Sequence, residues 1–89
     1  MRWIAGYKPG EDLILADGAT AITLPSDGAG ILYPDGFVIQ VMDNTGTFAG
    51  TNCVVSVVGA GMQIDGATSV TLATAYQVRA FRKAGGQWV

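Results

Sequence analysis

Apolar positions in this chain come in runs of three to six residues, broken at short intervals by glycine, proline and aspartate. Leu13-Ile14-Leu15 is one run, and Phe37 to Met42 is another, interrupted only by Gln40. Cys53-Val54-Val55-Ser56-Val57-Val58 is rich in β-branched residues. Thr20 to Leu24 and Ser69 to Leu72 alternate small or polar residues with apolar ones, the period of a half-buried strand. Asp-Gly separates the runs four times, at Asp17-Gly18, Asp27-Gly28, Asp35-Gly36 and Asp65-Gly66. That dipeptide suits tight hairpins because both central residues of a type I′ turn need a positive φ. Pro25 and Pro34 stand between the runs, where a missing N–H costs no ladder bond. The pattern predicts an all-β fold: a small sandwich or barrel of short antiparallel strands joined by Asp-Gly and Gly-rich turns. Residues 13–89 form the domain, and residues 1–12, less regularly patterned, form an N-terminal segment or arm.

The segment from Leu72 to Lys83 supports two readings. Its alanines, its basic end and the following Gly85-Gly86 suit a helix with a glycine cap. As a strand it places Tyr76, Val78 and Ala80 on one face and Gln77, Arg79, Phe81 and Lys83 on the other. The β runs on both sides favour the strand, since tertiary pairing overrides local propensity. Asp17-Gly-Ala-Thr-Ala-Ile-Thr-Leu24 and Asp65-Gly-Ala-Thr-Ser-Val-Thr-Leu72 agree at six of eight positions. Each reads as a tight turn feeding an alternating strand, and two copies do not make a solenoid.

Composition narrows the function classes. Among 89 residues, 49% are hydrophobic and 13% charged, about half the usual charged share. The mean hydropathy of +0.35 argues against disorder, and a pI near 4.5 argues against a nucleic-acid partner. No apolar run approaches the roughly 20 residues that span a bilayer, and the apolar part of the start is too short for a secretion signal. The single cysteine, Cys53, forms no internal disulfide. A domain this small buries only about 60–65% of its unfolded surface. With so few charges, much of the remainder is apolar or neutral, so shielding by further copies or by a larger assembly is expected.

Catalytic chemistry has little to work with. Without histidine, the usual general base and the commonest transition-metal ligand are missing. Ser26, Ser56 and Ser69 lack a nucleophile-elbow surround. Cys53 lies in a β-branched run with no basic neighbour and reads as a small buried hydrophobe. Of Asp17, Asp27, Asp35, Asp43 and Asp65, four stand in Asp-Gly turns, and Asp43 precedes the turn-like Asn44-Thr45-Gly46. Glu11-Asp12, the one adjacent acidic pair, lacks calcium-loop spacing. Gly28-Ala29-Gly30 and Gly59-Ala60-Gly61 have neither the helix nor the lysine of a phosphate loop. No catalytic residue, metal site or cofactor is expected.

Interaction residues are easier to nominate. Trp3 and Tyr7, with Met1 and Ile4, make the N-terminal segment a candidate interface, whereas Trp88 reads as core. Arg79, Arg82 and Lys83 hold three of the five positive charges within five residues and could form a basic patch toward an acidic partner. In the polar stretch from Asp43 to Asn52, Phe48 is the candidate for stacking on a ligand.

From about Gly18 onward, five segments in order resemble a small β-domain of tailed-bacteriophage virion proteins, especially fibres and spikes. They are Ile22-Thr23-Leu24-Pro25; Gly36-Phe37-Val38-Ile39-Gln40-Val41-Met42 with its polar turn Asp43-Asn44-Thr45-Gly46; Cys53 to Val58 with Gly59-Ala60-Gly61 and Ile64-Asp65-Gly66-Ala67; Val70-Thr71-Leu72 with Tyr76; and Gly85-Gly86-Gln87-Trp88. The match covers about four-fifths of the chain, and its order is more specific than any one motif. The resemblance implies a β-sandwich that works as a homotrimer in the virion and is not an enzyme. It further implies assembly in the bacterial host cytoplasm and partnership with the major capsid or other virion proteins, with neither nucleic acid nor membrane expected as a partner. Two features depart from the pattern: the closing strand carries Arg79, Arg82 and Lys83 where the family is neutral, and no long shaft accompanies the domain. A free-standing copy fits a capsid decoration or cement protein. The alternative is a short tail fibre, spike or collar component that binds a host receptor or glycan.

Overall fold

The structure, a computed structural model, describes residues 1–25, 33–57 and 62–89. Two sheets face each other across the apolar positions that alternate along the runs. Among the described residues the strands are β1 (Arg2–Lys8), β2 (Glu11–Leu15), β3 (Ala21–Leu24), β4 (Val38–Met42), β5 (Cys53–Val57), β6 (Gln63–Ile64), β7 (Ser69–Leu72), β8 (Val78–Ala84) and β9 (Gln87–Trp88). The larger sheet has the order β1-β2-β4-β8-β9-β6 and the smaller β3-β5-β7. Between them lie Ile14, Ile39, Val41, Phe81 and Trp88 from the first sheet and Ile22, Leu24, Cys53, Val55 and Leu72 from the second. This is the expected all-β class, in its sandwich form.

The expectation of antiparallel pairing throughout is corrected. β2–β4, β3–β5 and β6–β9 are parallel. The cause is a chain path used twice: β2 in the large sheet is followed by β3 in the small one, and β4 by β5. Strands that repeat the same crossing run the same way. The turn at Asp17-Gly18 has the predicted positive φ at both residues, 51° and 82°, yet it carries the chain between sheets and does not close a hairpin. Asp65-Gly66, at 50° and 78°, closes a small one in which Ile64 and Ala67 exchange backbone bonds of 2.7 and 2.9 Å. At Asp35-Gly36 only the glycine has a positive φ. Asp27-Gly28, Ser26, Val58 and both Gly-Ala-Gly stretches lie outside the described residues.

The internal echo has a structural counterpart. Its two strands, β3 and β7, flank β5 on opposite sides, one parallel and one antiparallel. Ile22 and Leu24, like Val70 and Leu72, turn toward the core, while Thr23 and Thr71 face out.

The segment read as helix or strand divides. Leu72 ends β7, a turn follows, and β8 begins at Val78. The pairing of β8 with β4 decides the strand, and Arg79, Phe81 and Lys83 lie on its inward side. The expected boundary at residue 12 falls inside β2. Arg2–Lys8 is the outer strand of a hairpin with β2, joined by Pro9-Gly10, rather than a detached arm.

Candidate functional site

Strand β1 stands at the rim of the large sheet, and all seven of its residues are exposed. Its position is fixed by carboxylates beneath it. Asp12 is buried and accepts the Trp3 indole N–H at 2.9 Å and the Gly6 amide at 2.8 Å. Gly6 has φ +68° where the β1–β2 register shifts, so Asp12 takes up a donor that the bulge frees from the ladder. At the other end Arg2 grips Asp17 with both Nε (2.7 Å) and Nη2 (3.1 Å), and the Asn44 side chain adds a 2.6 Å bond. The bonds from Arg2 and Asn44 hold the Asp17 carboxyl at about 2, below its ordinary 3.8. Met1, Trp3, Ile4 and Tyr7 are all exposed, the last three on a paired strand, with Trp3 on the side of Asp12 and Ile4 on the opposite one.

Glu11 and Asp12 do not act as a pair, because alternation sends them to opposite faces. Glu11 accepts from the Gln40 side chain on the outer side.

The three basic residues do not gather into the expected patch. Arg79 and Lys83 point inward and Arg82 outward. Arg79 reaches Asp65 at 2.6 Å and lies over the Phe81 ring. Lys83 is 3% exposed, and its Nζ lies 3.4 Å from the Tyr33 carbonyl. A strand period of two separates neighbours that a helix or a loop would have kept together.

Phe48 is also corrected: it is fully buried in the core and offers no surface for stacking. Asp43, five residues before it, explains why. The Asp43 carboxylate is buried and accepts the amides of Thr47 (3.2 Å), Phe48 (3.1 Å) and Tyr76 (3.0 Å). Burial pushes this carboxyl up, but the backbone donors Phe48, Tyr76, Thr47 and Gly46 outweigh it, and the group stays below its ordinary value. The polar stretch after β4 is thus wound around an anion, and the winding drives Phe48 inward.

The same anchor turns Tyr76 outward. Tyr76 sits at φ +59°, a backbone region that few non-glycine residues adopt, with its amide held by Asp43 and 69% of its surface exposed. Its ring lies on Gly46, where an added Cβ would come within 2.6 Å of it. Sequence reasoning passed over this residue. The Asp-x-Thr-Gly-Thr string after β4 signals the turn, but the contact to Tyr76 spans 33 residues and leaves no local trace.

Cys53 is buried in β5, and burial, followed by the charge of Asp43, pushes its thiol up. Trp88 is core, as expected, with its N–H on the Pro25 carbonyl at 3.1 Å. Among the described residues no three histidine, cysteine, aspartate or glutamate side chains gather where they could hold a metal ion. The chain matches no protein-family model, and a search of curated proteins finds no match.

Proposed function

We propose that this chain is a non-enzymatic structural protein of a tailed-phage virion, a capsid decoration protein that joins the shell through β1. The observation that carries this reading is the state of that strand. It is a long edge, exposed along its length, with no strand on its outer side among the described residues, and it bears Trp3 and Tyr7. The free N–H and C=O groups of such an edge invite another strand, and along β1 the bulge at Gly6 is what interrupts them. An extended segment of a shell subunit adding beside β1 would satisfy them, with the aromatic side chains supplying contact area. The acidic residues agree with a structural role: Asp12, Asp17, Asp43 and Asp65 each hold a backbone or basic group of the fold.

The test is co-sedimentation with undecorated capsids of the phage that encodes the chain. The wild type is expected to travel with the shells, and Trp3→Ala/Tyr7→Ala to bind at least tenfold more weakly with an unchanged circular dichroism spectrum. Wild-type protein that stays in the supernatant would exclude the decoration role.

Tyr76 supports a second reading, a short tail fibre, spike or collar component that binds a host receptor or glycan. An exposed ring held in a costly backbone conformation beside a polar loop is the kind of feature found at ligand sites. Under this reading Tyr76→Ala abolishes binding to host cells without loss of folding, whereas a decoration protein shows no cell binding to lose.

A further inference from the structure

The outer face of the large sheet is largely apolar: Val78, Ala80 and Val89 on it are exposed, Leu15, Val38 and Met42 are half-buried, and Leu13 is buried among its neighbours. Register places its side chains in rows. Leu15, Met42 and Val78 form one row across β2, β4 and β8; Leu13, Gln40 and Ala80 form the next. The last row is Glu11, Val38 and Arg82. Arg2, Ile4 and Lys8 on β1 stand in register with Leu15, Leu13 and Glu11, and Val89, which exchanges two 2.9 Å backbone bonds with Arg82, extends the face on the other side. None of these outward residues belongs to the core between the sheets.

We propose that this face pairs with the same face of a second copy, related by a twofold axis running along β4. The charges select both the occupant and the axis. Rotation about a line parallel to β4 keeps each row in place and exchanges β2 with β8. Glu11 then meets Arg82 of the partner subunit, and Arg82 meets Glu11 of the partner subunit, so one surface supplies two complementary pairs. Arg82 has no ion pair with any described residue, and Glu11 accepts from the Gln40 amide with Lys8 opposite it on β1. The apolar rows also fit: Leu13 lies over Ala80 of the partner subunit, large against small, and Gln40 meets Gln40 of the partner subunit, amide to amide. An axis across the strands would instead put Glu11 against Leu15 of the partner subunit, burying a charge on an apolar residue. Aligned stacking of this kind is the ordinary way two twisted sheets meet.

The size of the face sets the strength. Five strand positions about 4.8 Å apart and five residues of about 3.3 Å give about 400 Å² per copy. That is about 800 Å² in total, the size of a transient encounter and below the roughly 1,200 Å² at which stable interfaces begin, so a weak dissociation constant of about 100 µM is expected. This twofold pairing differs from the threefold assembly that the virion resemblance implies, and it does not depend on β1 binding a shell.

Sedimentation velocity from about 1 µM to about 1 mM reads the equilibrium. A reversible dimer is expected; Arg82→Glu raises its dissociation constant at least tenfold, and so does Glu11→Arg. The swapped variant Glu11→Arg/Arg82→Glu regains the wild-type value. Both side chains are on the surface, so circular dichroism is expected to be the same for all four proteins. A monomer throughout the range, a trimer, or a dimer unmoved by Arg82→Glu overturns the proposal. A monomer that still binds capsids overturns the pairing while leaving the decoration role in place.

Discussion

Phe48→Ala is expected to remove about 3–5 kcal/mol of folding free energy, the usual result of truncating a fully buried phenylalanine. A domain of 89 residues has only about 5–13 kcal/mol in total, so the variant sits near the edge of unfolding. Phe48 has no exposed surface and belongs to the same cluster as Ile22, Leu24 and Val55. Its removal leaves a cavity that two sheets fixed by their own hydrogen bonds cannot close. Urea denaturation measures the loss as a lower midpoint with little change in slope. The competing view, that Phe48 is a surface residue for stacking on a ligand, gives the opposite result: wild-type stability and impaired binding. One denaturation curve therefore decides whether the stretch after β4 is a recognition loop carrying an aromatic or a piece of the core closed by a polar turn.

The case of Phe48 shows what the sequence made legible. Alternation is a local property, and it located β3 and β7, because each side chain's face follows from its neighbours two positions away; β4 and β5 were legible as apolar runs, which mark a strand without saying which side chains face in. Turn chemistry was legible for a similar reason. Asp17 and Asp65 adopt the positive φ that their dipeptides suggest, since that preference belongs to the dipeptide itself. Direction was not legible. An Asp-Gly turn that closes a hairpin and one that carries the chain from one sheet to the other have the same local signature. Only the later placement of β4 beside β2, and β5 beside β3, makes those pairs parallel. Clusters of charge misled for a related reason. Arg79, Arg82 and Lys83 are close in sequence, yet the pleat divides them between two faces, and Arg79 finds its partner 14 residues back at Asp65. Tyr76 was hidden most completely. Its exposure and its backbone conformation depend on an anion 33 residues earlier in the chain.

That anion supports the other large expectation. Asp43→Ala is expected to lower the Tm on the order of 10 °C, and Asp43→Asn to lower it nearly as much. The similarity of the two is the informative part. Asparagine is almost the same shape as aspartate, so a site that needed only volume or a turn former would accept it. Here both carboxylate oxygens receive N–H donors: one takes Thr47, and the other takes Phe48 and Tyr76 together. An amide replaces one acceptor with a donor facing donors, which leaves buried N–H groups without partners in either orientation. Protonation does the same chemistry without a mutation. Asp43 and Asp17 both titrate below the ordinary aspartate value in the folded chain, Asp17 at about 2. As pH falls, the unfolded chain therefore takes up these protons first. Stability from these two groups is present well above the ordinary aspartate value of 3.8 and is lost as pH falls below it, for Asp17 through about 2. In Asp43→Ala the part of that acid slope due to Asp43 disappears, and amide exchange at Phe48 and Tyr76 becomes faster at neutral pH. Wild-type stability in Asp43→Asn would instead mean that the turn closes without its anion, and that Tyr76 is turned outward by the Gly46 contact alone.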